Sequence, residues 1–197
     1  MAKGIYIIGK DEIPANVSLK EGERLEWTLV CLPGTSANVN IDIDLDGPGA
    51  EVDLAGLYLC HSDEKVTLNV NVRHNSGGCT SHQLFKGIVG GSANASFDGL
   101  IYVAHGAQKT KAYQENHSIL LSASAKAESR PQLEIYADDV ECSHGATTGF
   151  LNEDELFYMR SRGIPEKEAR RLQVISFLAP ILARLPEELR DDIVSEC

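Results

Sequence analysis

Short strand-like segments recur at a nearly constant spacing through the first 150 residues of the chain. In residues 38–45 and 65–72, apolar and polar residues alternate, a pattern that is typical of half-buried strands. Such runs begin about every 14 residues, which is the short repeat expected of a solenoid. A small residue opens most runs, at Ala37, Ala50, Ala93, Ala107 and Ala125, and Lys65, Thr80 and Asp139 take the same place elsewhere.

Glycine-containing turns separate these runs. They lie at residues 46–49, 76–78, 90–91 and 105–106. Signals for tight hairpins are nearly absent, because Asp98-Gly99 falls inside one run and Asp46-Gly47 lies in a longer loop. A parallel β-solenoid explains this pattern better than an antiparallel sandwich does, since each coil covers the backbone edges of its neighbour. The sandwich with coincidental spacing is the alternative.

The chain changes character near residue 150. We therefore assign residues 1–150 to a β-solenoid core and residues 151–197 to a helical region. Asn152 followed by Glu155 is a capping-box pattern that predicts the start of the first helix. Gly163 is placed to end that helix.

A second helix is predicted from Pro165 onward, because proline suits a first helical turn. Pro180 should kink or break this helix, and a short last helix should start at residues 186–188. The apolar residues of the second helix recur at helical spacing, at Leu172, Ile175, Leu178 and Leu182. This stripe either docks against the solenoid or forms a partner-binding face, and the two roles are compatible.

Net charge and cysteine use narrow the possible functions. A formal net charge of −11 argues against nucleic acid as a partner, because phosphate binding needs clustered Lys and Arg. The five cysteines are irregularly spaced and form no CxxC pair, so no disulfide framework is indicated and a cytoplasmic location is expected. The sequence has no secretory signal and no stretch long enough to span a bilayer.

A thiol and an imidazole lie two positions apart, at Cys142 and His144. In an extended backbone they point to the same face of a sheet, where they form half of a site for iron, zinc or copper. Nothing nearby in sequence supplies further ligands, and a cysteine at the end of a strand is at least as often a small hydrophobe. Of the other histidines, His82 is expected on the surface and His74 in a loop.

The usual catalytic signatures are missing from the sequence. It has no phosphate-binding loop, dinucleotide fingerprint or nucleophile elbow. Asp138-Asp139 is a poor acid–base pair, because adjacent strand positions face opposite ways. We therefore predict that the chain is not an enzyme. The alternatives are a carbohydrate-active enzyme on a β-helix and a homodimeric β-helix interaction module without metal, formed by strand addition at an edge.

The most specific part of the sequence is a set of four segments, residues 108–116, 120–122, 131–147 and 156–164. Their order and spacing closely resemble the SufB/SufD family, and the form is closer to SufD than to SufB. SufB carries a cysteine in the strand after a shared proline and a His-Glu-Ala-Thr motif. Here those places read Ile135 and Ser143-His144-Gly145-Ala146-Thr147. Family members usually have a longer N-terminal region, most of which this chain is expected to lack.

The resemblance implies a right-handed parallel β-helix with C-terminal helices, acting as a non-catalytic scaffold subunit in SUF iron–sulfur cluster assembly. It implies pairing with a SufB-like subunit through the β-helices and binding of a SufC-like ABC-type ATPase through residues 151–197. His144 and Cys142 match SufD residues at the SufB–SufD interface, where iron or a nascent cluster would be held only transiently. The ATPase-binding residues would be Leu156, Phe157, Tyr158, Arg160, Arg162 and Gly163.

Overall fold

A computed structural model describes residues 2–197 of the chain. This part folds into eleven strands followed by three helices. The strands are β1 (Ala2–Ile7), β2 (Asn16–Leu19), β3 (Arg24–Cys31), β4 (Ala37–Leu45), β5 (Glu51–Cys60), β6 (Lys65–His74), β7 (Thr80–Val89), β8 (Asn94–Val103), β9 (Thr110–Leu120), β10 (Lys126–Ile135) and β11 (Val140–Phe150). The helices are α1 (Glu153–Ser161), α2 (Glu166–Leu182) and α3 (Glu187–Glu196).

The strands alternate between two parallel sheets as the chain proceeds. Odd-numbered strands form a six-stranded sheet in the order β1-β3-β5-β7-β9-β11, and even-numbered strands form a five-stranded sheet in the order β2-β4-β6-β8-β10. Each coil adds one strand to each sheet, and the chain makes about five turns. The predicted β-solenoid is therefore confirmed, and the alternative of an antiparallel sandwich is wrong.

The repeat seen in the sequence corresponds to half a coil. Val52 pairs with Ser81, and Ser81 pairs with Ala112, so a full coil takes about 30 residues. The small residues that open the runs lie at the corners between the sheets. Ala50 and Ala93 directly precede β5 and β8, and both are 0% exposed. Their complete burial explains why a small residue recurs at this point of the coil.

Apolar side chains fill the space between the two sheets. Ile41 and Ile43 of β4 are fully buried, whereas Asp42 between them is partly exposed, so the acidic residues of this strand face the solvent. Phe85 of β7 and Phe97 of β8 meet across the interior with their ring centroids 4.8 Å apart. Contacts of this kind hold the two sheets together through dispersion and burial of apolar surface.

A buried carboxylate connects two neighbouring corners of the solenoid. Glu64 is 4% exposed. The N–H of Gly34 donates to its Oε1 at 2.9 Å and that of Ser62 to its Oε2 at 2.8 Å, and His61 donates from the same turn. Burial by itself opposes ionisation, but these backbone donors outweigh it and lower the pKa of Glu64 to about 2. The charged carboxylate therefore joins loops that are 30 residues apart in sequence.

The second helix covers the apolar half of the outer face of the odd-stranded sheet. Leu178 and Ile181 are 0% exposed and belong to the same apolar cluster as Leu57 and Ile88 of the sheet. The predicted stripe thus docks largely on the protein's own solenoid. Leu172 departs from the prediction, because 39% of its surface stays exposed.

The first helix begins and ends where its caps predict. The Asn152 side chain accepts hydrogen bonds from the N–H groups of Asp154 and Glu155. In a capping box, Glu155 would accept from the backbone N–H of Asn152. Here its carboxylate accepts from the Asn152 side-chain amide instead. Gly163 follows the helix with φ 87°, and its N–H donates to the Arg160 carbonyl, as expected of a glycine that ends a helix.

The second helix continues through Pro180 to Leu182. The break predicted as one outcome at this proline does not occur, because the missing N–H costs only one bond in the last turn of the helix. The next N–H groups resume the ladder, and Ala183 donates to the Ala179 carbonyl at 3.0 Å. Within residues 2–197, none of the helices combines the length and the apolar character needed to cross a membrane.

We expect Leu178→Ala to lower the free energy of unfolding by about 3 kcal/mol, because it leaves a cavity between α2 and the sheet. Leu172→Ala is the matched control, since the same change is made in the same helix at a position that is 39% exposed. It should cost less than about 1 kcal/mol. Urea titration of both variants measures the difference, and equal losses would contradict the docking of α2.

Candidate functional site at the last coil

The last coil of the solenoid is open on one side. Within residues 2–197, β10 pairs only with β8 and β11 only with β9, so that each leaves one edge without a neighbouring strand. Large apolar side chains are exposed around these edges, at Ile135, Tyr136 and Phe150, which are 39%, 48% and 66% exposed. An open edge with apolar neighbours is a ready site for pairing with another chain.

Cys142 and His144 lie on the same, inward face of β11. Cys142 is in register with Ala112 and His144 with Gln114, and both of these β9 residues are buried inside the solenoid. In-register residues of parallel strands face the same side, so the thiol and the imidazole continue the interior of the coil below. Cys142 is half-buried against the core, whereas His144 is exposed at the open end.

The donor set of this end is incomplete for a resident metal. Thiol and imidazole suit iron and iron–sulfur chemistry. However, no group of three His, Cys, Asp or Glu side chains within residues 2–197 is placed to hold a metal ion. Burial and then the nearby Glu141 carboxylate raise the pKa of the Cys142 thiol, despite a lowering hydrogen bond from the Ala112 backbone. The isolated chain therefore presents a protonated thiol beside an imidazole, which is half of a site.

Polar contacts on the outer face hold β11 in register. The Tyr113 hydroxyl donates to the Glu141 carboxylate, and Lys111 Nζ lies 3.5 Å from the same group. His82 stacks on the Tyr113 ring with centroids 4.8 Å apart, so it lies on the surface as predicted. These contacts place the inward-facing row of β11 over that of β9.

A second set of outer contacts acts further along the strand. His117 Nδ1 lies 2.8 Å from Thr147 Oγ1, and its Nε2 lies 3.0 Å from Glu115. The imidazole thus links the last strand to its neighbour. Both sets fix β11 from outside, which leaves its inward row free at the open end.

Sequence reasoning missed a set of polar residues inside the solenoid. The Tyr58 hydroxyl lies 3.2 Å from Asn116 Oδ1 and 2.8 Å from Ser118 Oγ, and Asn116 donates to Ser129 Oγ at 3.1 Å. Burial raises the pKa of Tyr58 to about 12, so that the hydroxyl stays protonated. Polar positions within an alternating strand are normally expected to face solvent, and no local signal marks these as interior.

His74 was placed in a loop by its sequence context, and that interpretation is wrong. It is the last residue of β6 and is 0% exposed. Its Nε2 lies 2.9 Å from Ser81 Oγ, and burial lowers its pKa from 6.5 to about 4. The adjacent Arg73 faces outward and pairs with Asp42 at 2.7 Å. Alternation continues through both residues, which is the signal that could have identified the strand.

The predicted partner-binding residues divide into exposed and buried positions. Phe157 and Tyr158 are 74% and 59% exposed on α1, whereas Leu156 is 2% exposed and packs inside the helix–sheet core. Arg160 pairs with Glu166 at 3.5 Å. Arg162 lies 5.2 Å from the Tyr158 ring, and Gly163 ends the helix.

A groove of about 760 Å³ runs between α1, α2 and the ends of the neighbouring strands. Tyr158 and Leu172 line it from the helices, and Ile119 and Phe150 line it from the sheet. Its apolar lining includes three of the large side chains that remain exposed. The helical region therefore has an apolar surface beyond what its docking on the solenoid covers.

Together these features define a parallel β-solenoid with an open last coil that carries ligand-type side chains, and with a helical region on its flank. The family model described as "SUF system FeS cluster assembly, SufBD core domain" matches residues 14–177. The chain therefore belongs to the SufB/SufD family, as the resemblance predicted.

Individual relatives show that the chain is SufD-like. The iron–sulfur cluster assembly protein SufD of Escherichia coli K12 is 38% identical over 82% of this chain and 37% of its own length. SufD of Bacillus subtilis is 31% identical over 87% of this chain and 40% of its own length. Protein ABCI7, chloroplastic, of Arabidopsis thaliana is 37% identical over 84% of this chain and 35% of its own length. The chain thus spans less than half the length of these relatives.

We expect the free energy of unfolding to fall as the pH is lowered from 6.5 towards 4, with a contribution from His74 on the order of 3 kcal/mol. The folded-state pKa of His74 is depressed to about 4, so over this range the unfolded chain binds a proton that the folded chain excludes. His74→Gln should flatten this slope. Urea titrations at a series of pH values measure it.

His82→Gln is the matched control, because it removes an imidazole that is exposed on the same solenoid. The slope of this variant should stay close to that of the unaltered chain. An unchanged slope in His74→Gln would show that another group causes the pH dependence.

Proposed function

We propose that the chain acts as a non-catalytic, SufD-like scaffold subunit in iron–sulfur cluster assembly by the SUF system. The observation that carries the proposal is the position of His144 and Cys142 on the inward face of an uncovered last coil. Two donors on one face can receive iron or a nascent cluster but cannot enclose it. The cluster is therefore cargo that passes through an interface, and the missing donors come from a second chain.

The partner at this interface is a SufB-like β-helix. The unpaired edges of β10 and β11 can accept a strand from another chain. The exposed Ile135 and Tyr136 supply apolar surface beside those edges. The family match supports this choice over a carbohydrate-active enzyme or a metal-free homodimer.

A SufC-like ABC-type ATPase binds the helical region. Phe157 and Tyr158 supply exposed aromatic side chains, a class that is enriched at the cores of protein–protein interfaces. Leu156 supports the helix from inside and does not itself contact the partner.

An ion pair connects the helical region to the solenoid. Arg184, just after α2, pairs with Asp53 of β5 at 2.8 Å. Movement of the helices is thus coupled to the solenoid, and the ATPase shifts the scaffold by binding one arrangement better than the other.

Replacing the two donors should impair cluster assembly while leaving the fold intact. We expect His144→Ala and Cys142→Ser each to lower the yield of anaerobic cluster reconstitution by about tenfold or more, in complex with SufB-like and SufC-like partners. Ser143→Ala is the matched control, because it changes the intervening residue of the same strand, which faces outward. If both donor variants assemble clusters as well as Ser143→Ala does, their role as ligands is wrong.

The aromatic pair on α1 is tested by capture of the ATPase. The double substitution Phe157→Ala and Tyr158→Ala should weaken binding of a SufC-type ATPase by about 30-fold or more, because a single hot-spot side chain contributes on the order of 2 kcal/mol and the two losses need not add. Binding is measured by titration calorimetry with the full chain. Tyr136→Ala is the control, since it removes a similarly exposed aromatic at the open coil. Equal weakening by the control, or none by the double variant, would refute the assignment.

A further inference from the structure

A buried pair of amide side chains lies in the interior of the solenoid, directly beneath the last coil. Gln83 of β7 and Gln114 of β9 are 3% and 1% exposed. Gln114 Nε2 donates to Gln83 Oε1 at 3.0 Å, whereas Gln114 Oε1 and Gln83 Nε2 have no hydrogen-bond partner. Buried polar atoms without partners are costly and rare. A buried pair of amides with two unpaired atoms therefore needs a reason beyond packing.

The opposite sheet leaves space for the Gln114 amide. Gly99 of β8 lies against this group, and a Cβ at that position would collide with the amide oxygen, carbon and nitrogen. The hydrogen bond from Gln114 to Gln83 fixes the amide in this space from the other side. The fold thus makes room for a polar side chain at a core position where an apolar side chain would pack without unpaired polar atoms.

The two glutamines and His144 occupy one column. Gln83 is in register with Gln114, and Gln114 is in register with His144. In-register residues of neighbouring parallel strands lie about 4.8 Å apart, and all three side chains point inward. His144 is therefore the next polar side chain above an acceptor, Gln114 Oε1, that lacks a donor.

We propose that Gln114 is a positioning residue for His144. Its Oε1 has no partner while the His144 imidazole is exposed. When the imidazole turns inward, its N–H donates to this oxygen, which fixes the tautomer and turns the other ring nitrogen towards the open end of the coil. Ligating histidines commonly have such a second partner, which sets their orientation and raises their basicity. The inference rests on the proposed role of His144 as a ligand, but the hydrogen bond that it invokes needs no metal.

The tautomer of His144 in the full chain tests this contact. Two-bond ¹H–¹⁵N correlation spectra, recorded above the ordinary histidine pKa of about 6.5, report which ring nitrogen carries the proton, and His144→Ala assigns the signal. In the unaltered chain we expect one tautomer to dominate. Gln114→Leu should give a mixture of the two, whereas Gln114→Glu, which keeps an acceptor at the same reach, should restore the dominant form.

Asn116→Leu is the matched control, because Asn116 is a buried amide on the same inward face of β9 but is in register with Ala146. It should leave the His144 tautomer unchanged. A mixture already present in the unaltered chain, or a tautomer unaffected by Gln114→Leu, would overturn the positioning role while leaving the reconstitution result intact. If the His144 and Cys142 variants assemble clusters normally while the His144 tautomer still depends on Gln114, the proposed function is refuted and the positioning role stands.

Discussion

Parallel pairing between successive coils is the constraint on which the rest of this structure depends. Each strand satisfies its backbone groups through the coil before and the coil after, and residues in register face the same side. A row of side chains therefore continues from coil to coil along the whole solenoid. Within residues 2–197, no further strand pairs with β10 or β11, so the last coil ends with unpaired edges and an inward-facing row that no further coil covers. The candidate site is this row, with Cys142 and His144 in it.

The interior beneath the open coil differs from the interior elsewhere. Around Phe85 and Phe97 it is apolar and closely packed, whereas Gln114 and the hydrogen-bonded group around Tyr58 make it polar towards the last coil. Polar groups in a core reduce stability unless they are paired. Gln83 and Gln114 lie in the column of His144, whereas Asn116 and Ser118, which contact Tyr58, lie in register with Ala146 and Thr148.

The helical region is integrated with the solenoid through α2, whose buried face completes an apolar cluster on the odd-stranded sheet. This docking leaves α1 beside the open end, with Phe157 and Tyr158 exposed next to a groove. The chain thus exposes one surface at the edge of a coil and one beside a helix, and the two meet at Phe150. The helix α2 rests on both β5 and β7 of the odd-stranded sheet.

Local sequence patterns were sufficient to predict much of the fold of this protein. Alternation and glycine turns predicted the solenoid, and Asn152 and Gly163 predicted the limits of the first helix. The role of the Cys142–His144 segment stays a prediction of the family resemblance. These features extend over a few residues, so they can be read without knowing the fold. Only the tertiary structure decided which polar residues lie inside and that Gln114 lies under His144. Such neighbours are about 30 residues apart in sequence, and their contact depends on a register that no local pattern encodes.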